Sequence, residues 1–90
     1  MKKERAVITV IGEDHPGIIA AVTSACAELG INIEDLSQTV VQGILTMTLI
    51  VDITGKDLRE LQRRLASVAE EQRVKIIAQH EDIFRYMHRI

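Results

Sequence analysis

The alternation of apolar and polar positions along this 90-residue chain predicts four strands. Apolar, β-branched residues fill 6–11, which is typical of a strand covered on both faces. Between 45 and 53 apolar residues alternate with mostly polar ones, which is the period of a strand. The second strand in chain order is predicted over 31–42, where the alternation slips and indicates a bulge near 34–35. The fourth strand is predicted over 74–79.

Two segments have the period of a helix that buries one face. The first spans 16–29 and is followed by Gly30, a common helix terminator. The second follows Thr54 and Asp57, whose spacing is that of a capping box, and Gly43 marks a turn between two strands. The two apolar stripes are Ile18, Val22, Ala25 and Leu29, and Leu58, Leu61, Leu65 and Val68.

The predicted order is therefore β-α-β-β-α-β. Because both β-α-β crossovers are expected to be right-handed, the two helices should cover one face of a four-stranded antiparallel sheet, a ferredoxin-like α+β fold. After the fourth strand, Ile83, Met87 and Ile90 recur at helical spacing. They predict a short C-terminal helix that must dock on its own domain or on a partner, because two turns are not stable alone. We expect one domain over 6–80 and a helical tail over 81–90.

Composition narrows the class of protein. The net charge is −2, the charges are mixed along the chain, and there is one Phe, one Tyr and no Trp, so a nucleic-acid surface is not expected. The first apolar run ends at Gly12, too soon for a membrane span, and no signal-peptide cleavage pattern follows it. One cysteine fits a reducing compartment. We expect a cytoplasmic protein that binds neither nucleic acid nor membrane.

The residue types needed for catalysis or metal binding are scattered. His15, His80 and His88 do not have the spacing of metal ligands, and there is no Cys-x-x-Cys pair. Cys26 lies on the buried stripe of the first helix and is interpreted as a small core residue. We expect no catalytic residues, no metal, no cofactor and no enzyme activity.

The candidate site is the segment 12–18, which joins the first strand to the first helix. Pro16 suits the first helical position, and Gly17 leaves room for a ligand. The amides of the helix N-terminus favour a carboxylate, and Asp14 beside them favours a cation, so the segment suits a zwitterion. Asp14 could instead cap the helix. His15 either reports pH or is an ordinary exposed histidine.

The motif Gly12-Glu13-Asp14-His15-Pro16-Gly17-Ile18, followed by Leu29-Gly30-Ile31-Asn32-Ile33, resembles the ACT domain family. The order of elements is similar to that family from about Ala6 to Gln79. The run Asn-Ile-Glu-Asp-Leu-Ser-Gln-Thr-Val at 32–40 and the Ile-Phe-Arg-Tyr-Met tail are similar to stand-alone ACT proteins related to the glycine cleavage system repressor.

The resemblance implies that the protein is regulatory and binds an amino acid between two domains. The contacts would come from the first strand–helix loop of one domain and the start of the second strand of the other. By position, Asp14 and Asn32 match ligand-contacting residues of that family, although Asn32 could also be a turn former after Gly30. Gly12 departs from the pattern, because serine-binding dehydrogenases have a histidine there. The predicted site comprises Gly12, Asp14, His15, Pro16, Gly17, Ile18 and Asn32.

Two functions stay open. The first is a homodimer that senses an amino acid or a similar small metabolite at the subunit interface; most soluble oligomers pair about a two-fold axis. The second is an adaptor that acts on a transcriptional or metabolic regulator without a ligand.

Overall fold

The strands and helices follow one another in the predicted order. The computed structural model describes residues 2–87. The elements are β1 (Arg5–Glu13), α1 (Ile18–Glu28), β2 (Asn32–Val41), β3 (Ile44–Asp52), α2 (Leu58–Gln72), β4 (Lys75–His80) and α3 (Glu81–Met87). The four strands pair antiparallel in the order β2-β3-β1-β4. The ferredoxin-like fold with a short third helix is therefore confirmed.

The core lies between one face of the sheet and the two long helices. In β3 the side chains of Leu45, Met47, Leu49 and Val51 are at most 1% exposed, as their alternation predicts. Burial of each such side chain contributes about 1.5–3 kcal/mol. Cys26 of α1 is also fully buried and is the predicted small core residue, and burial raises the pKa of its thiol. Both helices contribute to this one core, so they share a face of the sheet.

The opposite face of the sheet is only partly covered. On this side of β1, Val7 is 3% exposed, whereas Ile11 is 44% exposed. The prediction that β1 is covered on both faces is therefore wrong for its second half. On this face of the sheet, the first half of β1 is covered by α3. Gln79, the β4 partner of Val7, donates from Nε2 to Sδ of Met87 at 3.1 Å.

The predicted bulge in β2 is confirmed. The register between β2 and β3 shifts between Ile33 and Asp35, so Glu34 is the extra residue. The carboxylate of Glu34 forms ion pairs with Lys3 and Arg5. These ion pairs connect the bulge in β2 with the residues at the start of β1.

The predicted turn at Gly43 is also confirmed. Gln42 and Gly43 have φ angles of 51° and 80°, and Val41 pairs with Ile44 across them. Positive φ at both central residues is the mark of a two-residue type I′ hairpin, whose twist matches that of the flanking strands. This hairpin matters for the site because it lies at the end of the sheet where β1 ends.

The start of α2 differs from the prediction. The helix begins at Leu58 and is capped by Asp57, whose carboxylate accepts a hydrogen bond from the backbone N–H of Arg59 at 2.9 Å. Thr54 is not part of a capping box. Its hydroxyl accepts from the backbone N–H of Glu4 at 2.8 Å, because the end of β3 runs beside the start of the chain.

The C-terminal helix exposes the apolar side chains that the sequence places on one face. Ile83 and Met87 of α3 are 55% and 62% exposed. Ile90, the third residue of that face, lies outside the described residues, as do its two predecessors. The division into 6–80 and 81–90 stays a prediction. Within residues 2–87 the structure has no helix of the length and apolar character needed to cross a membrane.

Candidate functional site

The loop between β1 and α1, residues 14–17, is fastened to the β2–β3 hairpin. β1 pairs with β3 so that Glu13 lies opposite Ile44. The backbone N–H of Asp14 donates to the carbonyl of Gly43 at 2.8 Å. The sequence predicts free amides in this loop, and for Asp14 that prediction is wrong, because antiparallel pairing carries the hairpin turn alongside the loop.

The N-terminus of α1 lies at the end of this loop. The helix begins at Ile18 with Gly17 as its N-cap, in a left-handed conformation (φ 100°) that glycine tolerates. Pro16 therefore lies outside the helix, and its predicted first helical position is wrong. No side chain among the described residues caps α1, so Asp14 does not have the capping role. Because first-turn amides have no partner within a helix, they are open to an anion.

An open hollow of about 550 Å³ lies beside the loop, where the end of β1 meets the hairpin. This volume falls within the range of about 300–1,000 Å³ typical of small-molecule sites. Sequence reasoning found Gly12 but missed the rest of the wall, although antiparallel pairing of β1 with β3 predicts which residues meet there. The hollow is lined by Ile11, Gly12, Glu13, Gln42, Gly43 and Ile44.

Gly12 faces the connection between α2 and β4. A Cβ built on Gly12 would lie 2.7 Å from Cγ1 of Val74 and 3.2 Å from its Cα. The first distance is far below van der Waals contact and the second is tight, so the backbone of β1 comes this close to the connection because residue 12 has no side chain. A histidine here, as the resemblance gives for serine-binding dehydrogenases, would require Val74 to move.

His15 is exposed, and both nitrogens of its ring contact carbonyl groups of the protein. Nε2 lies 2.7 Å from the carbonyl oxygen of Gln72, and Nδ1 lies 3.0 Å from that of Pro16. These two contacts, that to Gln72 first, raise the pKa of His15, and the charges of Asp14 and Glu13 add to the effect. The imidazole ring therefore contacts the last residue of α2.

Asn32 lies at the other end of the sheet from the loop. It is exposed, and as the first residue of β2 it pairs with Asp52 of β3. The loop instead follows Glu13, the residue of β1 that pairs with Ile44. Ile44 and Asp52 are the two ends of β3, about 27 Å apart at about 3.4 Å per residue. The structure therefore groups the predicted residues within 12–18 but does not bring Asn32 to them. Asn32 is not a turn former, since Gly30 (φ 69°) makes that turn.

The groups at the loop suit binding by hydrogen bonds and charge. The first-turn amides of α1 favour an anion, and the exposed carboxylate of Asp14 favours a cation. In the part of the chain that the structure describes, no three His, Cys, Asp or Glu side chains are grouped so as to hold a metal ion.

The order of elements and the Pro-Gly loop agree with a known protein family. A family model of the ACT domain matches residues 4–79. The chain belongs to the ACT domain family. A UPF0237 protein from Methanopyrus kandleri is 47% identical over 88 residues, which cover 96% of this chain and 98% of the relative. The solved structure of an ACT domain protein from Streptococcus pneumoniae has a TM-score of 0.81 and 39% identity, covering 92% of this chain and 96% of that one.

Regulatory proteins contain domains similar to this ACT domain. The ligand-free regulatory subunit of aspartate kinase from Thermus thermophilus has a TM-score of 0.69 and 31% identity, over 84% of this chain and 50% of that one. A protein provisionally assigned as a glycine cleavage system transcriptional repressor has a TM-score of 0.79 at 19% identity, over 89% of this chain and 47% of that one. The second likeness shows a common fold alone.

Proposed function

We propose that this ACT domain protein is a non-enzymatic regulator that binds an amino acid or a similar small metabolite where two copies meet. The observation that carries the proposal is the separation of the loop from Asn32, the two parts of the predicted site, which lie at opposite ends of β3, about 27 Å apart. A free amino acid is much shorter than this distance. Two-fold pairing can place the loop of one copy beside Asn32 of the other.

The loop offers complementary charge to both ends of an amino acid. A carboxylate at the N-terminus of α1 gains typically about 0.3–1 kcal/mol from the helix dipole, besides hydrogen bonds to the first-turn amides. An ammonium group would lie toward the exposed carboxylate of Asp14. The adjoining hollow, with Ile11 and Ile44 in its wall, would take the side chain.

The free edge of β2 suits the pairing of two copies. Among the described strands β2 bonds only to β3, and its residues 34–41 are exposed. Antiparallel pairing of two β2 edges would set the start of one strand beside the end of the other. Since the end of β2 leads into the hairpin that holds the loop, the partner's Asn32 would then lie at the same end of the sheet as Asp14.

A thermal-shift screen of the twenty amino acids and common metabolites tests this function. A ligand at about 100 times its Kd stabilises the folded state by about 2.7 kcal/mol. For a domain of this size that corresponds to a rise in Tm of at least about 10 °C. We expect one chemical class to raise the Tm of the wild type.

The control is the double variant Asp14→Ala with Asn32→Ala, beside the surface variant Glu70→Ala on α2. We expect the double variant to lose the shift and Glu70→Ala to keep it. No shift in the wild type, or an equal shift in the double variant, would exclude the proposed site.

A second candidate function is that of an adaptor that acts on a transcriptional or metabolic regulator without a ligand. The exposed apolar residues of α3, Ile83, Tyr86 and Met87, favour it, because such side chains are typical of a docking surface. Purification of the tagged protein from its own host tests it, once with the small metabolites of the cell retained and once with them removed. A stoichiometric regulator that co-purifies in both cases supports the adaptor, and one lost with the metabolites supports the sensor.

We place either function in the cytoplasm. The one cysteine of the sequence, Cys26, is buried and forms no disulfide within the described residues, which fits a reducing compartment. Fractionation of the host cells with antibody detection tests this location.

A further inference from the structure

His15 connects two parts of the molecule that are 57 residues apart in the sequence. It belongs to the loop that precedes α1, and its ring reaches the last residue of α2, Gln72. We propose that His15, as an imidazolium ion, holds this loop against the C-terminal end of α2, so that the strength of this hold depends on pH. The contacts of His15 with Pro16 and Gln72 are called the His15 bridge below.

The two acceptors of the His15 bridge require two donors. Nε2 lies 2.7 Å from the carbonyl oxygen of Gln72 and Nδ1 lies 3.0 Å from that of Pro16. A carbonyl oxygen only accepts hydrogen bonds, and a neutral imidazole has a single N–H. In the neutral ring one nitrogen lone pair would therefore face a carbonyl oxygen. Protonation gives both nitrogens an N–H, and both contacts become hydrogen bonds.

The end of α2 favours a cation at this place. The last carbonyl groups of a helix lack partners within the helix and form the negative end of its dipole. The last turn of α2 contains no basic residue of its own. Arg73 follows in the left-handed conformation (φ 57°), and its N–H and that of Val74 bond to Ala69. Those bonds leave the carbonyl of Gln72 to accept from His15.

The charged groups around the ring support the same protonation state. Glu13 at the end of β1 and Asp14 in the loop both raise the pKa of His15, in addition to the two carbonyl groups. On the α2 side, Glu71 and Arg73 flank Gln72 with opposite charges. The negative charges of Glu13 and Asp14 are therefore not cancelled by a net positive charge at the end of α2.

Loss of the proton would weaken the hold on the loop that carries Asp14 and leads into α1, because the ring loses its charge and one of its two N–H donors. A group whose pKa is higher in the folded than in the unfolded state stabilises the fold at low pH. The contribution is full below the unfolded value of about 6.5. It is lost as pH rises through the higher folded value. The His15 bridge needs no ligand, so it stands apart from the sensing function.

NMR titration of the histidine ring signals tests the His15 bridge. The variant His15→Gln identifies the His15 signal by its loss. We expect the midpoint of that signal to lie above about 6.5 and the backbone amide signals of the loop to shift with the same midpoint. A midpoint at or below the ordinary value, or loop amides that do not follow it, would overturn the proposal.

Two further variants separate the bridge from a general effect on the fold. Gln72→Ala keeps the main-chain carbonyl, so we expect the raised midpoint to persist. Urea unfolding of the wild type and His15→Gln between pH 5.5 and 8.5 should show a stability difference that is largest at low pH and shrinks as His15 loses its proton. A difference that does not change with pH would contradict the role of the charged ring.

Discussion

Gly12 shows how a single residue can look functional in the sequence and be structural in the fold. It stands in the candidate motif, and its backbone lines the hollow. Yet the space where a side chain would lie is filled by Val74. The departure from the histidine that the family resemblance implies at this position is therefore tied to how tightly β1 packs on the α2–β4 connection. Any ligand of this site has to be recognised without a side chain at position 12.

We expect Gly12→Ala to destabilise the fold by about 1–3 kcal/mol, the usual cost of overpacking. Val74→Ala in the same chain should restore part of the loss, because it removes Cγ1 at 2.7 Å but leaves Cβ at 3.0 Å and Cα at 3.2 Å. Gly43→Ala is the matched control. Nothing lies within 4 Å of its Cβ position, so only its φ of 80° costs energy, and Val74→Ala should not rescue it. Equal behaviour of the two glycine variants in urea unfolding would contradict this account.

At the scale of an element, α2 has two defined ends, and its C-terminal end contacts the β1–α1 loop. Its start is set by the carboxylate of Asp57, which pairs with a first-turn amide. Its end turns through the left-handed Arg73 and presents the carbonyl of Gln72 to His15. The contact between α2 and the β1–α1 loop therefore depends on where α2 ends.

We expect Asp57→Ala to lower the free energy of unfolding by about 1 kcal/mol, because the first turn of α2 loses its cap. Asp57→Asn should stay close to the wild type, since an asparagine side chain also accepts from that amide. Chemical unfolding of the three proteins measures both values. A loss as large in Asp57→Asn as in Asp57→Ala would show that charge, not capping, is what matters there.

At the scale of the whole molecule, the fold separates two residues that a shared site would need. The antiparallel order puts the loop at one end of β3 and Asn32 at the other. Under the proposed function the site would be completed by a second copy, which would pair at the exposed edge of β2. Dimerisation and ligand binding would then be coupled by geometry.

Co-expression of the variants Asp14→Ala and Asn32→Ala tests whether the site is shared. Each homodimer would lack one contact at both sites and should not bind. A hybrid dimer regains one intact site, with the loop of one copy and Asn32 of the other. We expect the ligand-induced rise in Tm to return in the mixture. No recovery in the mixture would contradict a site shared between two copies, and binding by the Asn32→Ala homodimer alone would show that Asn32 has no part in the site.

Much of the fold was predictable because its signals are local. Alternation in β3, the slip in β2 and the turn at Gly43 each depend on residues within a few positions of one another, and all three are confirmed. The errors concern contacts that reach further. Thr54 bonds to Glu4, and Asp14 bonds to Gly43, so neither has the free or capping role that its neighbours in sequence suggested.

The sequence by itself determined the elements, the buried faces and the segment 12–18 as the place to look for a site. Only the tertiary structure decided what that segment touches: Val74 against Gly12, the carbonyl of Gln72 against His15, and no contact with Asn32. The physical reason is that periodicity shows on which face of its own helix or strand a residue lies. The strand order β2-β3-β1-β4 decides which distant elements become neighbours, and no local pattern records that order.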